Sequence, residues 1–260
     1  MRFMINQYQV AQLFTVANLS KLETGGGDGV EVLKNEPFTG KPLFYGQYPE
    51  GQYTKKLYIG KKKVNGVVRT ILPATALIGI EEAWNAYPYC RTIIKNEFMG
   101  DDFNLTVESM HCPGRGELEN VHRLPPDQLA EREVVWIDIA AELADSKDYN
   151  PKEDPAKFKS KKTGRGSLKP GWTKTVQPSM TCYKLVSAKF KWFGLQKIVE
   201  GKMHKGIRRM FTLFHRQLFC LMDEWHGLTI ENIREIENKT KDELRSLQQQ
   251  AETRGMNLDS

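Results

Sequence analysis

The sequence has no long apolar run and few cysteines. No segment reaches the roughly 18 consecutive apolar residues of a membrane-spanning helix, so any membrane contact is expected to be peripheral and reversible. The four cysteines lie far apart without a CxxC pair, and the chain opens at Met1-Arg2-Phe3 without a signal-like apolar segment. These absences predict a reducing, cytoplasmic location.

Sequence motifs of the common enzyme classes are also missing. The chain contains no GxSxG, no HExxH, no Walker loop and no paired metal-ligand spacing. Its five histidines are scattered, and His111 beside Cys112 has no recognisable triad around it. We therefore predict a protein that is not an enzyme, with no catalytic residue, no metal site and no cofactor other than a bound ligand.

The net charge is mildly positive. The 38 Lys and Arg residues exceed the 32 Asp and Glu residues, which leaves a formal charge of +6 and favours an anionic partner. Nucleic-acid binders concentrate such residues in a stripe with base-stacking aromatics, whereas here they are spread along the chain. The pattern therefore favours an acidic membrane surface and disfavours nucleic acid.

Length and hydrophobic pattern predict one α+β domain over residues 1–260. Helices are predicted at residues 8–22, 64–72 and 195–225, with a last helix N-capped by Thr229. Strands are predicted at residues 30–33, 53–59, 81–94, 103–111, 134–140 and 182–192, mainly as antiparallel sheet. Residues 144–172, rich in Lys, Asp, Pro and Gly, are predicted to be an exposed but ordered loop.

A curved sheet closed by one long apolar-faced helix can enclose a ligand, although a packed core is the commoner filling. Three polar positions bear on this choice. Alternation puts Lys184 on an apolar face, where it must snorkel, pair with a carboxylate or meet an anion. Thr54 and Lys56 share a face, either converging on a ligand or lining a solvated edge strand. Glu237 falls in the apolar seam of the last helix, where it could form a salt bridge to one of the many lysines or accept hydrogen bonds from sugar hydroxyl groups.

Seven segments resemble, in order, motifs of the phosphatidylinositol transfer protein family. They are residues 24–32, 34–38, 51–54, 83–92, 153–166, 183–186 and 214–220. The similarity extends from about Tyr8 to Leu247. The segments at 85–90 and 214–220 favour the single-domain class of the family, which also exchanges phosphatidylcholine.

This resemblance implies a StART-like helix-grip fold, in which the curved antiparallel sheet and long C-terminal helix enclose a lipid cavity. Residues 229–260 would then form a lid helix and tail. The implied function is exchange of phosphatidylinositol and phosphatidylcholine between membranes by a monomer, in support of phosphoinositide signalling and with phosphoinositide kinases as further partners. Two alternatives remain open: a non-transferring sensor that presents phosphatidylinositol to a kinase, and phosphatidic acid as the second ligand.

The resemblance also implies a role for each matching residue. The inositol ring would be bound by Thr54, Lys56, Glu81, Asn85 and Glu237, and the phosphate by Gln12, Thr92, Ser109 and Lys184. Cys90 and Phe214 match the choline-lipid region, Trp192 and Phe193 the membrane-docking pair, and Ser160 a phosphorylation position.

Two departures from the family pattern have structural consequences. Phe193 stands where the family has the second tryptophan of the docking pair, which keeps the apolar side chain but removes an indole donor. Residues 1–7 stand where the family has its first strand. One edge of the sheet is therefore expected to be missing, shortened or cut off.

Overall fold

The computed structural model describes residues 2–60, 73–191 and 196–250. One antiparallel six-stranded sheet forms its centre, and the strands lie side by side in chain order. They are β1 (Gly29–Phe38), β2 (Gly51–Ile59), β3 (Ile78–Ala86), β4 (Tyr89–Asn96), β5 (Phe103–Pro113) and β6 (Met180–Phe190). The helix predicted at residues 64–72 lies outside the described residues.

Helices flank this sheet. They are α1 (Arg2–Leu22), α2 (Pro126–Glu131), α3 (Trp172–Thr175), α4 (Gln196–Cys220), α5 (Met222–Trp225) and α6 (Ile230–Gln248), with short 3-10 turns at Ala74–Leu77, Gly100–Asp102, Ser146–Asp148 and Pro151–Glu153. The curved sheet and the long helices confirm the predicted α+β, StART-like fold. The predicted N-cap of the last helix is also confirmed, because Thr229 and Asn232 form a reciprocal capping box.

The beginning of the chain is helical rather than extended. Helix α1 begins at Arg2, so it is longer than predicted and includes residues 2–7, where the resemblance implies a strand. Within the described residues no strand precedes β1, which makes β1 an edge of the sheet. Elsewhere, the strand predicted at residues 81–94 is a hairpin turned at Tyr87-Pro88, where proline cannot donate to the sheet.

The strand predicted at residues 134–140 is wrong. This segment is irregular, and Val134, Val135 and Trp136 are exposed. Its apolar alternation suggested a strand, but β5 is already paired with β4 on one side and β6 on the other. The segment instead crosses α4, where the Arg216 guanidinium donates to the carbonyl of Ile139 at 2.8 Å.

The two faces of the sheet are covered differently. On the outer face, the loop between β1 and β2 closes over a compact core of buried side chains: Leu43, Trp84, Ala86, Tyr89 and Met110. On the inner face, the helices pack mainly against the outer strands, with α6 on β1, α4 on β6 and α1 on β1 and β5. The middle strands β2 to β4 therefore present their inner face to the space between sheet and helices.

Helix α6 is held in place by contacts near both of its ends. Ile233 and Leu244 are buried in the α1–α6 region, and Lys21 of α1 forms an ion pair with Glu243 at 3.1 Å. At its C-terminus, the amides of Gly26 and Gly27 donate to the carbonyls of residues 250 and 248 at 2.9 and 3.0 Å. These glycines have positive φ angles of 64° and 85°, which glycine adopts without strain.

We expect Ile233→Ala to lower the free energy of unfolding by about 2–5 kcal/mol, because the side chain is 0% exposed and its removal leaves a cavity. Urea unfolding followed by circular dichroism measures the change. The matched control is Glu235→Ala on the exposed side of α6, for which we expect a change within about 0.5 kcal/mol. Equal effects of the two substitutions would contradict the observed burial of α6.

Candidate functional site

The polar residues singled out in the sequence lie on one face of the sheet. Residues paired across neighbouring strands point to the same side, so the register groups them into rows. Three adjacent rows contain eight of them: Lys56–Glu81–Ile94–Leu105–Ala188, Thr54–Ala83–Thr92–Val107–Val186 and Gln52–Asn85–Cys90–Ser109–Lys184. The predicted inositol residues of the sheet belong to β2 and β3, and the predicted phosphate residues of the sheet belong to β4, β5 and β6.

This inner face borders an interior space. The Tyr58 side chain is 36% accessible, yet burial raises the pKa of its hydroxyl well above the ordinary value, with the charge of Glu81 adding to the effect. An accessible group that is nevertheless deeply surrounded by protein faces a cavity rather than the outer surface. Tyr58, at one end of β2, therefore has the surroundings that a cavity between sheet and helices would give it.

Lys56 and Glu81 form a largely buried ion pair on this face. Lys56 Nζ lies 3.4 Å from a Glu81 oxygen, and the two side chains are 12% and 13% exposed. The Tyr58 hydroxyl donates to the other Glu81 oxygen at 2.9 Å. Strand β2 is paired on both sides, so the alternative of a solvated edge strand is wrong. The pair is a neutral unit that still offers donors and acceptors to the cavity.

Glu237 of α6 joins the inner face through a chain of amides. It accepts from Asn35 Nδ2 at 3.0 Å and from the Arg234 guanidinium at 2.6 Å. The Gln52 amide in turn donates to Asn35 Oδ1 at 2.7 Å. The cation that pairs with this carboxylate is thus Arg234, one turn earlier, and not one of the lysines. Asn35 and Gln52 are members of the site that the sequence analysis missed.

Lys184 is a cation without a nearby carboxylate. Its Nζ donates to the Ser109 hydroxyl at 3.2 Å and lies 4.7 Å from the centre of the Phe211 ring on α4. Among the described residues it forms no ion pair, and both of its contacts leave its charge uncompensated. A desolvated ammonium favours an anion, and phosphate supplies strong acceptor oxygens.

Gln12 belongs to the face of α1 that contacts strand β5. It follows Tyr8 by one helical turn, and the Tyr8 ring contacts His111 of the inner face at a centroid distance of 4.9 Å. The Gln12 carboxamide oxygen is buried and has no hydrogen-bond partner in the described part of the chain. Leaving such an atom unpaired costs about 1–3 kcal/mol, so this amide is available to a polar ligand.

The remaining predicted residues fall into three places. Cys90 is buried in the third row, and its thiol donates to Asn85 Oδ1 at 3.3 Å. Phe214 packs instead in the helical core with Ala11 and Leu218. Trp192 and Phe193, the predicted docking pair, lie outside the described residues.

The loop of residues 144–172 is ordered, as predicted, but its anchor side chains are buried rather than exposed. Ser160 is 2% exposed and donates to Asp223 of α5 at 2.5 Å. This bond and two backbone amides, from Lys161 and Lys162, hold the pKa of Asp223 at about 2. Another loop residue, Asp154, forms an ion pair with Arg216 of α4 at 3.4 Å. Modification of Ser160 therefore requires the loop to open first.

Comparison with known proteins decides between a packed sheet and a lipid carrier. The family model described as phosphatidylinositol transfer protein matches residues 1–242. The chain belongs to the phosphatidylinositol transfer protein family. It is 49% identical over 257 residues to the human phosphatidylinositol transfer protein beta isoform, covering 96% of this chain and 93% of that protein.

Relatives from a distant organism give the same result. The chain is 47% identical over 242 residues to phosphatidylinositol transfer protein 2 of Dictyostelium discoideum, covering 92% of this chain and 90% of that protein. Phosphatidylinositol transfer protein 5 of the same organism is 37% identical over 243 residues, with 93% and 82% covered. Within the part of the chain that the structure describes, no helix has the length and apolar character needed to cross a membrane.

We expect Ser160→Glu to loosen the loop, because a second carboxylate would face Asp223 in a buried position and repel it. Limited proteolysis should cleave residues 144–172 faster in this variant. Ser146→Glu is the matched control, since Ser146 is exposed in the same loop and should leave cleavage unchanged. Unchanged cleavage of the Ser160 variant would contradict the anchoring role.

Proposed function

We propose that this chain binds one molecule of phosphatidylinositol or phosphatidylcholine between the inner face of the sheet and the helices, and exchanges it between membranes. No covalent bond is made or broken, and no cofactor or metal is needed. The main support is the uncompensated Lys184 ammonium beside Ser109 on a cavity-lining face. The printed names of the relatives, which are all transfer proteins, support the same proposal.

The site divides into a neutral part and a positive part. The Lys56–Glu81 pair and the Asn35–Glu237–Arg234 chain offer donors and acceptors without net positive charge, which suits the hydroxyl groups of inositol. Thr54 and Asn85 lie between them on the same face. Lys184 and Ser109, with Gln12 and Thr92 close by in the fold, suit the phosphate that both lipids share.

Choline offers no hydrogen-bond donor, so phosphatidylcholine would use the phosphate residues and leave the inositol residues without contact. Cys90, at the boundary between the two parts, is the residue we assign to this second lipid, with Phe214 in the helical core behind it. Phosphatidic acid, which has the phosphate alone, is the alternative second ligand and would use the same residues.

Lipid exchange requires the enclosed acyl chains to leave the protein. We propose that α6 and the loop of residues 144–172 loosen while Trp192 and Phe193 contact the membrane surface, on the microsecond to millisecond scale of lid motions. The protein would act as a cytoplasmic monomer that touches membranes peripherally and supplies phosphatidylinositol to phosphoinositide kinases.

One observation favours a second candidate function. Helix α6 is held by Lys21 and by the two glycine amides at its end, and such fastening would also suit a sensor that retains phosphatidylinositol and presents it to a kinase. A vesicle-to-vesicle assay separates the two. A carrier moves labelled lipid between vesicles, whereas a sensor binds it without moving it.

We expect Thr54→Ala to abolish phosphatidylinositol transfer and to spare phosphatidylcholine transfer, because Thr54 belongs to the neutral part of the site. Lys56→Ala should act in the same way. The matched control is Lys55→Ala, which lies between them on β2 and points to the opposite face. Fluorescent-lipid transfer between vesicles measures all three variants, and equal loss of both lipids would disprove the assignment.

Lys184→Met should reduce transfer of both lipids by at least about tenfold, since one lost charge-assisted hydrogen bond is worth roughly 1.5–3 kcal/mol. In the lipid-free variant, the free energy of unfolding should be unchanged or higher, because an apolar side chain replaces an uncompensated cation. Transfer assays and urea unfolding of delipidated protein give the two readings. Loss of one lipid alone would contradict a shared phosphate site.

A further inference from the structure

A buried cluster of titratable side chains lies beside the phosphate residues and is not used by the proposed exchange. Cys182 and His111 are direct partners on β6 and β5, one row beyond Lys184 and Ser109 on the inner face. Tyr8 of α1 and His215 of α4 close the cluster, and the Tyr8 hydroxyl and His215 Nε2 are 2.8 Å apart. Four separate elements thus contribute to it.

Backbone contacts fix which nitrogen of His111 carries a proton. Its Nδ1 lies 2.8 Å from the carbonyl oxygen of Pro88, which can only accept, so Nδ1 is the donor and Nε2 carries the lone pair. The ring is 2% exposed, stacks on Tyr87 and meets the Tyr8 ring at a tilt, with a centroid distance of 4.9 Å in each case. Nε2 is buried and has no hydrogen-bond partner among the described residues. Nε2 lies on the side of the ring away from the Pro88 carbonyl, and His111 itself is the direct partner of Cys182 across β5 and β6.

The same contacts orient His215. Its Nδ1 lies 2.7 Å from the carbonyl of Phe211, so this nitrogen donates and Nε2 accepts from the Tyr8 hydroxyl. That phenol is thereby occupied. Among the ring nitrogens of this cluster, the free basic position is His111 Nε2, directly across the sheet from Cys182.

Two neighbouring side chains make the proton of the Cys182 thiol easier to remove. Burial raises the pKa of this thiol, but the charges of Lys184 and His111 act against burial, and the net effect is a lowered pKa. The other thiols differ: burial raises the pKa of Cys90 and of Cys220 to about 12 and raises that of Cys112 as well. Cys182 is also only partly buried, on the face that lines the cavity.

Two other uses of the cluster are disfavoured. Among the described residues, no three His, Cys, Asp or Glu side chains are placed to hold a metal ion. Cys112, although adjacent to His111 in sequence, belongs to the outer-face core and so faces away from Cys182. What remains is a thiol next to an unpaired base and a cation, which is the arrangement of a reactive cysteine.

We propose that Cys182 is a modification site for small α,β-unsaturated carbonyl compounds, with His111 as the proton carrier. The thiol proton passes to His111 Nε2, and the sulfur forms a bond to the β-carbon as the carbon–carbon π pair shifts to give an enolate. Lys184 stabilises the enolate oxygen, and the proton on His111 then moves to the α-carbon. The product is a thioether, with no leaving group and no change of net oxidation state.

Such an adduct would obstruct the phosphate residues. Cys182 and Lys184 are two residues apart on the same face of β6, which places them about 7 Å from each other. An added side group would fill the space in front of Lys184 and lower transfer of both lipids. This consequence rests on the proposed function, whereas the reactivity of the thiol does not.

The first test is the site and rate of labelling. The full-length protein is treated with limiting hydroxynonenal at several pH values, and mass spectrometry of peptides follows all four cysteines. We expect Cys182 to react at least about tenfold faster than Cys112 at neutral pH, and its rate to persist below pH 8, where an ordinary thiol of pKa about 8.5 loses reactivity. His111→Phe, which keeps an aromatic ring but no base, should remove that advantage.

Several groups facing Cys182 can shape this pH profile: Lys184, His111, His215, Tyr8 and Cys90. The profile is therefore compared with that of Cys112 in the same sample. Faster labelling of any other cysteine, or a Cys182 profile that follows an ordinary thiol, would overturn the proposal even if His111→Phe failed to fold.

The second test is transfer after labelling. Treated wild-type protein should lose transfer of both lipids, Cys182→Ser should resist that loss, and Cys112→Ser should behave as wild type. Equal inhibition of Cys182→Ser and wild type would overturn the link between the adduct and lipid exchange. If the untreated wild-type protein moves no lipid, the proposed function is wrong. The labelling result is independent of that outcome, because it measures only the reactivity of the thiol.

Discussion

The interior depends on one constraint, which is that the Lys184 ammonium on the inner face needs a counter-charge. Ser109 and Phe211 hold the cation in place, but neither neutralises it. In the proposed function a phosphodiester meets this need and brings its acyl chains with it, and the apolar faces of α1 and α4 would enclose those chains instead of packing directly on the middle strands. Electrostatics and architecture are therefore linked. A sheet with a neutral residue at this position would have no comparable reason to keep its inner face open.

Charges elsewhere on the inner face are paired within the protein. Lys56 is neutralised by Glu81, and Glu237 by Arg234, so both pairs persist whether or not a ligand contacts them. The resulting asymmetry separates two tasks. In the proposed function, the paired side chains on β2, β3 and α6 discriminate between head groups by hydrogen bonds, while the cation on β6 attracts any phospholipid. A specificity change should therefore be possible on one side of the sheet without loss of binding on the other.

Local pattern predicted the parts of this structure that depend on neighbouring residues. Alternation along β2 and β6 placed Thr54, Lys56 and Lys184 on the correct face, and the capping residue Thr229 marked the start of α6.

Long-range features were missed. The strand predicted at residues 134–140 had no free partner, and the pairing of Cys182 with His111 depends on register between strands about 70 residues apart. Asn35 was missed because the register of β1 shifts between Val32 and Lys34, so that counting every second residue from Val30 places it on the wrong face.

That shift in β1 has a further consequence for the behaviour of the molecule in solution. Strand β1 is the edge of the described sheet beside α6, and a bare edge is a template on which a strand of another molecule can add. Its bulge interrupts the regular row of amides and carbonyls, and the exposed charges of Lys34 and Glu36 lie just beyond it. If α6 moves aside, the edge that it uncovers is therefore a poor template for intermolecular pairing. The irregular strand would let the molecule open repeatedly at a crowded surface without polymerising.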